Sequence, residues 1–137
     1  MSLALPDGLI LPDSRIWLLE YPSRPFTMNK VYGEFNYRQR NDLTQEWRQA
    51  FWAMAKEQKI PRLERIQVWA WPMLRDRRIQ DPGACYPAVK AAVDGLQDAG
   101  VIPEDDGRYV SLIAMCPPVQ EAPQDALRIA VIEDRIT

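Results

Sequence analysis

Histidine is absent from this 137-residue chain. That excludes Ser-His-Asp and Cys-His nucleophilic catalysis and every imidazole-ligated metal. Cysteine is scarce. Cys85 and Cys116 are too few for a cysteine-based zinc site and are expected to be reduced thiols. Long apolar runs are missing too: the longest, residues 110–119, is about half of the roughly 20 residues a bilayer requires. No membrane partner is therefore expected. The opening MSLALPDGLILPDS carries Asp7 and Asp13 and no positive cluster, unlike a secretory leader, so a cytoplasmic location is expected. Catalysis, if present, must run on carboxylates, lysine or tyrosine. A metal would be a hard ion bound through oxygen.

What is present points to an ordinary globular domain. Apolar residues make up 47% and charged residues 26%, which excludes global disorder and lets one domain, residues 1–137, bury a core without disulfides. The net charge of −2 hides a polarity. Residues 1–80 carry 13 Lys+Arg and 9 Asp+Glu, whereas residues 81–137 carry 4 and 10. A basic half beside an acidic half suits a protein that holds an anion and sets carboxylates against it. Chance clustering is the ordinary alternative.

The pattern along the chain alternates strands and helices. Residues 15–21, RIWLLEY, read as a strand stopped by Pro22. Residues 22–43 read as a long connection, rich in polar and aromatic residues. Thr44 is the expected N-cap of a helix over 44–58, with Trp47, Phe51, Met54 and Gln58 at helical spacing and Pro61 beyond its end. Residues 65–74 alternate Ile66, Val68 and Ala70 against Gln67, Trp69 and Trp71, the pattern of a strand. Residues 75–85 form a charged loop. A second helix over 86–99 has Pro87 in its first turn, Val89, Val93 and Leu96 as its stripe, and Gly100 as its C′ residue. Residues 110–116 and 126–134 read as closing strands. The expected class is α+β, in the order β-α-β-α-β-β, with one mixed sheet covered by two helices.

Three features could carry chemistry. Asp81 lies before the second helix. Lys90 and Asp94 share a helix face bordering the apolar stripe, and Glu104, Asp105 and Asp106 follow the helix. Clustered carboxylates hold Mg²⁺, which can activate water at a phosphodiester, and a nearby lysine can stabilise phosphate charge. The same residues also read as a solvated helix face and a turn. Arg75, Arg77 and Arg78 adjoin Asp81, and guanidinium forks suit phosphate oxygens. Lys30, Arg38 and Arg40 interleave with Tyr32, Phe35 and Tyr37, a mixture suited to nucleic-acid backbone and unstacked bases, or else a solvated loop. Trp69 and Trp71 share one strand face. Left uncovered by a helix, that face would be a dimer surface.

Taken together, these segments resemble the RusA-like Holliday junction resolvases, small metal-dependent endonucleases often carried by phages and prophages. The likeness covers most of the chain. LLEYPSRPFTMNKVYG (18–33) is similar to the family's opening strand and Pro-rich loop. RDRRIQDPGACYPAVKAAVDGLQDAGVIPEDDGRYV (75–110) is similar to its basic run, its D-x-D-N, its helix with K-x-x-x-D-x-L, and its A-G-hydrophobic step before an acidic turn.

The resemblance implies a homodimer that binds branched DNA and makes paired nicks with Mg²⁺ or Mn²⁺. It implies Asp81, Lys90 and Asp106 as catalytic residues, with Asp94 and Asp105 as further metal ligands. Lys30, Arg38, Arg40, Arg75, Arg77 and Arg78 are the expected DNA contacts. Gly83 and Ala84 stand where the family's second Asp and its Asn fall. A second reading is therefore a junction-binding protein of the same fold with weakened catalysis. A third is a protein-interaction module unrelated to DNA, with Trp69 and Trp71 at its interface.

Overall fold

A computed structural model of the chain describes residues 14–30, 33 and 36–135. Its elements are β1 (Ile16–Tyr21), α1 (Tyr37–Glu57), β2 (Ile66–Met73), α2 (Tyr86–Asp98), β3 (Val110–Met115) and β4 (Ala126–Glu133), with a short 3₁₀ turn, Pro82–Cys85, leading into α2. The expected α+β class and element order hold.

The four strands form one mixed sheet in the order β1-β4-β2-β3. β4 runs antiparallel to both β1 and β2, and β2 pairs parallel with β3. A parallel pair needs a crossover connection, which α2 supplies. All eight residues of β2 are buried, as expected of a strand with neighbours on both edges and cover on both faces.

Strand alternation divides the sheet into two faces. Leu19, Val68, Ala70, Ile129 and Val131 join Trp47, Phe51 and Ala55 of α1 and Val89, Val93 and Leu96 of α2 in the main core. The rings of Tyr21 and Phe26 each meet Trp47 edge-on, at 4.8 and 5.6 Å between centroids. Gly95 sets how closely the helices approach. A Cβ there would stand 2.4 Å from the Arg48 carbonyl oxygen and 3.0 Å from the Trp52 amide nitrogen.

α1 begins seven residues before the expected N-cap, so Thr44 lies inside the helix. Asn36 is the actual cap. Its side chain accepts from the Gln39 amide, and the Gln39 side chain accepts from the Asn36 amide, both at 2.9 Å. This reciprocal box holds the exposed first turns, YRQRNDL, which have no apolar stripe to reveal a helix. Arg38 and Arg40 are therefore helical residues rather than loop residues. Gln58 is the C-cap, and its side-chain Nε2 donates to the Leu18 carbonyl on the edge strand at 2.7 Å. Replacing Asn36 with Ala should cost about 1 kcal/mol. Chemical denaturation and far-UV circular dichroism will check that loss and the fraying of the first two turns.

The second helix follows its expected course. Gly100, at φ 83°, is its C′ residue. The Gly100 amide donates to Gln97 O and the Val101 amide to Leu96 O, a Schellman closure.

The other sheet face has no helix over it among the described residues, yet Trp69 and Trp71 are only 7% exposed and form no open surface. The two rings stack at 6.4 Å and pack with Met73, Ala122, Ala126 and Ala130. The Leu74 amide donates to Val119 O, the Val119 amide to Pro72 O and the Ala122 amide to Leu74 O, which ties the 116–125 connection across this end of the sheet. The apolar exposure lies instead on β1, where Ile16 is 45% and Leu18 54% exposed.

Candidate functional site

The Schellman turn at Gly100 reverses the chain after α2. Val101 and Ile102 are fully buried, and the Val101 carbonyl accepts from the Leu63 amide, anchoring the loop at its start. Its far end is closed by the Tyr109 and Val110 amides, both donating to Asp106 O. Between these anchors the loop folds back along α2 and carries Asp105 to Lys90.

Lys90 Nζ is held between two carboxylates. It lies 2.7 Å from Asp94 Oδ1, one helical turn on, and also donates to Asp105 Oδ2. The three side chains are 42%, 20% and 30% exposed, so the cluster borders solvent. Burial pulls the Lys90 pKa down, but the hydrogen bonds it donates to Asp105 and Asp94 outweigh it and leave it above the ordinary lysine value. The hydrogen bond from Lys90 holds Asp105 below the usual carboxylate range against partial desolvation.

A depressed acid contributes stability above its unfolded pKa and loses it as pH falls through its folded value. Asp105→Asn should therefore flatten the fall in unfolding free energy between about pH 6 and pH 3. Urea titrations of both proteins at the two pH values will read this difference.

Asp106 turns the other way. Its carboxylate accepts from the Arg108 amide at 2.9 Å and from Arg108 Nη2 at 2.8 Å, and the Arg108 guanidinium lies over the Tyr109 ring. Of the two adjacent acids, Asp105 is the one that meets Lys90. Asp81 stands in extended backbone before the Pro82–Cys85 turn and makes no side-chain cap. It lines a groove of about 410 Å³ with Asn29, Lys30, Arg78 and Gln80. Lys90 and Asp94 line a different groove, with Phe26, Met28, Arg40 and Tyr86. The segment 26–30 separates the two, giving Phe26 and Met28 to one side and Thr27, Asn29 and Lys30 to the other.

The sequence candidates thus divide into two neighbouring groups. Lys30 and Arg78 accompany Asp81, while Arg40 accompanies Lys90 and Asp94. Arg38 is exposed on the first turn of α1. In the 75–78 loop Arg75, Arg77 and Arg78 are all exposed, and Arg77 pairs with Glu121 at 2.5 Å. Arg24 was not legible as a site residue in the sequence; its guanidinium reaches both Asp76 and Asp125 at 3.3 Å and ties this loop to the end of the 116–125 connection. Nor was the Arg48–Asp98 pair, which links α1 to α2 at 2.5 Å. Neither pairing carries a local sequence signal, because the partners stand about 50 to 100 positions apart.

Cys85 is no nucleophile. It is buried and donates to Gln80 Oε1, and burial pushes its thiol up to about 12. Both cysteines are free thiols. Among the described residues, no three His, Cys, Asp or Glu side chains stand together as a metal cage. The Asp94–Asp105 pair could hold Mg²⁺ only as two ligands of a site completed by substrate phosphates and waters, with Lys90 Nζ moved off the carboxylates it now pairs with.

No model of a known protein family matches the chain, and no curated protein matches it in sequence. None of the helices among the described residues is long and apolar enough to cross a membrane.

Proposed function

We propose that the protein is a structure-selective endonuclease acting on four-way DNA junctions, with Lys90, Asp94 and Asp105 at its reactive centre. The observation that carries this reading is the seating of Lys90 Nζ between two carboxylates beside a groove edged by Arg40. The likeness of residues 75–110 to the junction resolvases supports it. Lys90 sits on a helix whose neighbouring residues are buried, so its charge is held in one place. A phosphate entering the groove would take hydrogen bonds from Lys90 in exchange for those of the carboxylates. Asp94 and Asp105 would hold Mg²⁺ or Mn²⁺, and the bound ion would supply charge neutralisation and an acidified water. Arg40, with Lys30 and Arg78 across the 26–30 segment, would hold backbone phosphates without reading sequence.

A second reading is favoured by one observation. Gly83 and Ala84 replace two polar residues of the resolvase pattern, and Asp81 lines a groove apart from Lys90. On that reading the protein binds junctions without cutting them. The test is a nicking assay on a synthetic four-way junction with Mg²⁺ and with Mn²⁺, run beside a band-shift titration. Paired nicks support the first reading, and binding without cutting supports the second. Loss of both would leave only a role unrelated to DNA. Mn²⁺ titration followed by electron paramagnetic resonance should show weak binding that Asp94→Asn or Asp105→Asn reduces and Asp81→Asn leaves intact.

A homodimer belongs to the same proposal, since a two-fold junction suits a two-fold protein. The exposed side chains Ile16 and Leu18 lie on the face that also carries the tryptophan stack, and they are the expected contact. Light scattering at micromolar concentration should give a dimer mass, and Leu18→Asp should halve it. A monomeric wild-type mass would remove the dimer from the proposal.

A further inference from the structure

The groove beside Lys90 has a floor that electrostatics alone does not explain. Phe26 is buried against Trp47 and closes its bottom. Met28 and Tyr86 flank it, each 41% exposed, and Pro87 adds an apolar wall. The cavity measures about 270 Å³, with Lys90 and Arg40 as the cations at its edges. One turn before Arg40, Tyr37 is 71% exposed and lies 5.9 Å from that guanidinium. Partly exposed aromatic and thioether groups beside phosphate-binding cations are the surface that unstacked bases use. The cations hold the backbone and a ring face takes the base.

From this juxtaposition we infer that the groove of Phe26, Met28, Tyr86 and Pro87 receives one unpaired nucleobase of the DNA, next to the phosphate held by Lys90. The inference rests on the proposed action on branched DNA and names what the site reads there. The exchange point of a junction is where stacking is already interrupted, so drawing a base out costs least at that position. Tyr86, the first residue of α2, presents a partly exposed ring one turn before Lys90. Base and phosphate would therefore be engaged from the same helix. Arg40 and Lys90 complement the negative backbone on either side of the base, whereas Asp94, also in the lining, disfavours a second phosphate in the groove.

The experiment pairs a protein change with a DNA change. Binding of four-way junctions is measured by band shift for the wild type, Tyr86→Ala, Tyr86→Phe and Met28→Ala. Each protein is tested on an intact junction and on junctions carrying one abasic nucleotide at successive positions flanking the exchange point. Tyr86→Ala should weaken binding of the intact junction by roughly 10-fold, within the range of a lost base–aromatic stack. At one abasic position wild type and Tyr86→Ala should bind alike, Tyr86→Phe should retain the wild-type preference, and Met28→Ala should show a smaller loss in the same pattern. If Tyr86→Ala weakens intact and abasic junctions equally, or weakens neither, the base site is overturned while junction binding stands. If the wild type binds no junction, the proposed function fails first and the base site falls with it.

Discussion

Gly95→Ala should destabilise the protein by about 2 kcal/mol, although alanine is the better helix former. The gain in propensity is roughly 1 kcal/mol at an interior helix position. Against it stands a Cβ placed 2.4 Å from the Arg48 carbonyl oxygen and 3.1 Å from the Phe51 Cβ. The obstructing oxygen is backbone, inside α1, and has no rotamer to escape into. The helices must separate, loosening Phe51, Val93 and Leu96, each 1% exposed or less. Overpacking of this kind costs about 1–3 kcal/mol, and an immovable neighbour places it at the upper end. The melting temperature should fall by roughly 6–10 °C. Gly107→Ala is the control, because nothing lies within 4 Å of a Cβ there, and it should be near neutral. If Gly95→Ala proves as stable as the wild type, the close helix approach does not hold in solution.

Lys90→Ala should depress junction cleavage by roughly 100-fold or more, the scale of a lost electrostatic donor at a reacting phosphate, while affinity changes little. The lysine is fixed by its helix and by two carboxylates, so it meets one phosphate and contributes most where charge builds up. Its removal has a second consequence, since Asp94 and Asp105 would then face each other without a cation. Like charges at such range raise the pKa of the pair. The variant should therefore lose stability at neutral pH and recover part of it on mild acidification, opposite in sign to the wild-type behaviour of Asp105. Lys90→Met keeps the apolar stem and separates packing from charge.

The exposed arginines should behave differently. Replacing Arg75 and Arg78 together should weaken binding and flatten its salt dependence, because each contributes a diffuse backbone contact. Band-shift titrations at two salt concentrations and single-turnover rates separate the two classes. Equal loss of affinity and cleavage in Lys90→Ala would falsify its assignment as a catalytic residue and make it a binding residue only.

The alternation of 65–74 and the stripe of Val89, Val93 and Leu96 determined a strand and a helix from the sequence by itself, because successive strand residues pack against different neighbours on two faces and a helix buries a single stripe. Gly100 likewise marked its own turn, since only a residue free to adopt positive φ suits that position. The start of α1 was less legible, for its first turns rest on the Asn36–Gln39 box and not on an apolar face. Lys90 and Asp94 could be paired from their i,i+4 spacing. Their third member could not. Only the path of the 99–109 loop decided that Asp105 turns toward Lys90 and Asp106 toward Arg108. The demand for glycine at position 95 was also decided by tertiary structure, through the distance between two helices whose contact residues lie more than 40 positions apart. The face of Trp69 and Trp71 followed from strand parity, but its closure did not. Local pattern specifies which side of a strand is apolar, and only the packed chain shows that the 116–125 connection has already covered it.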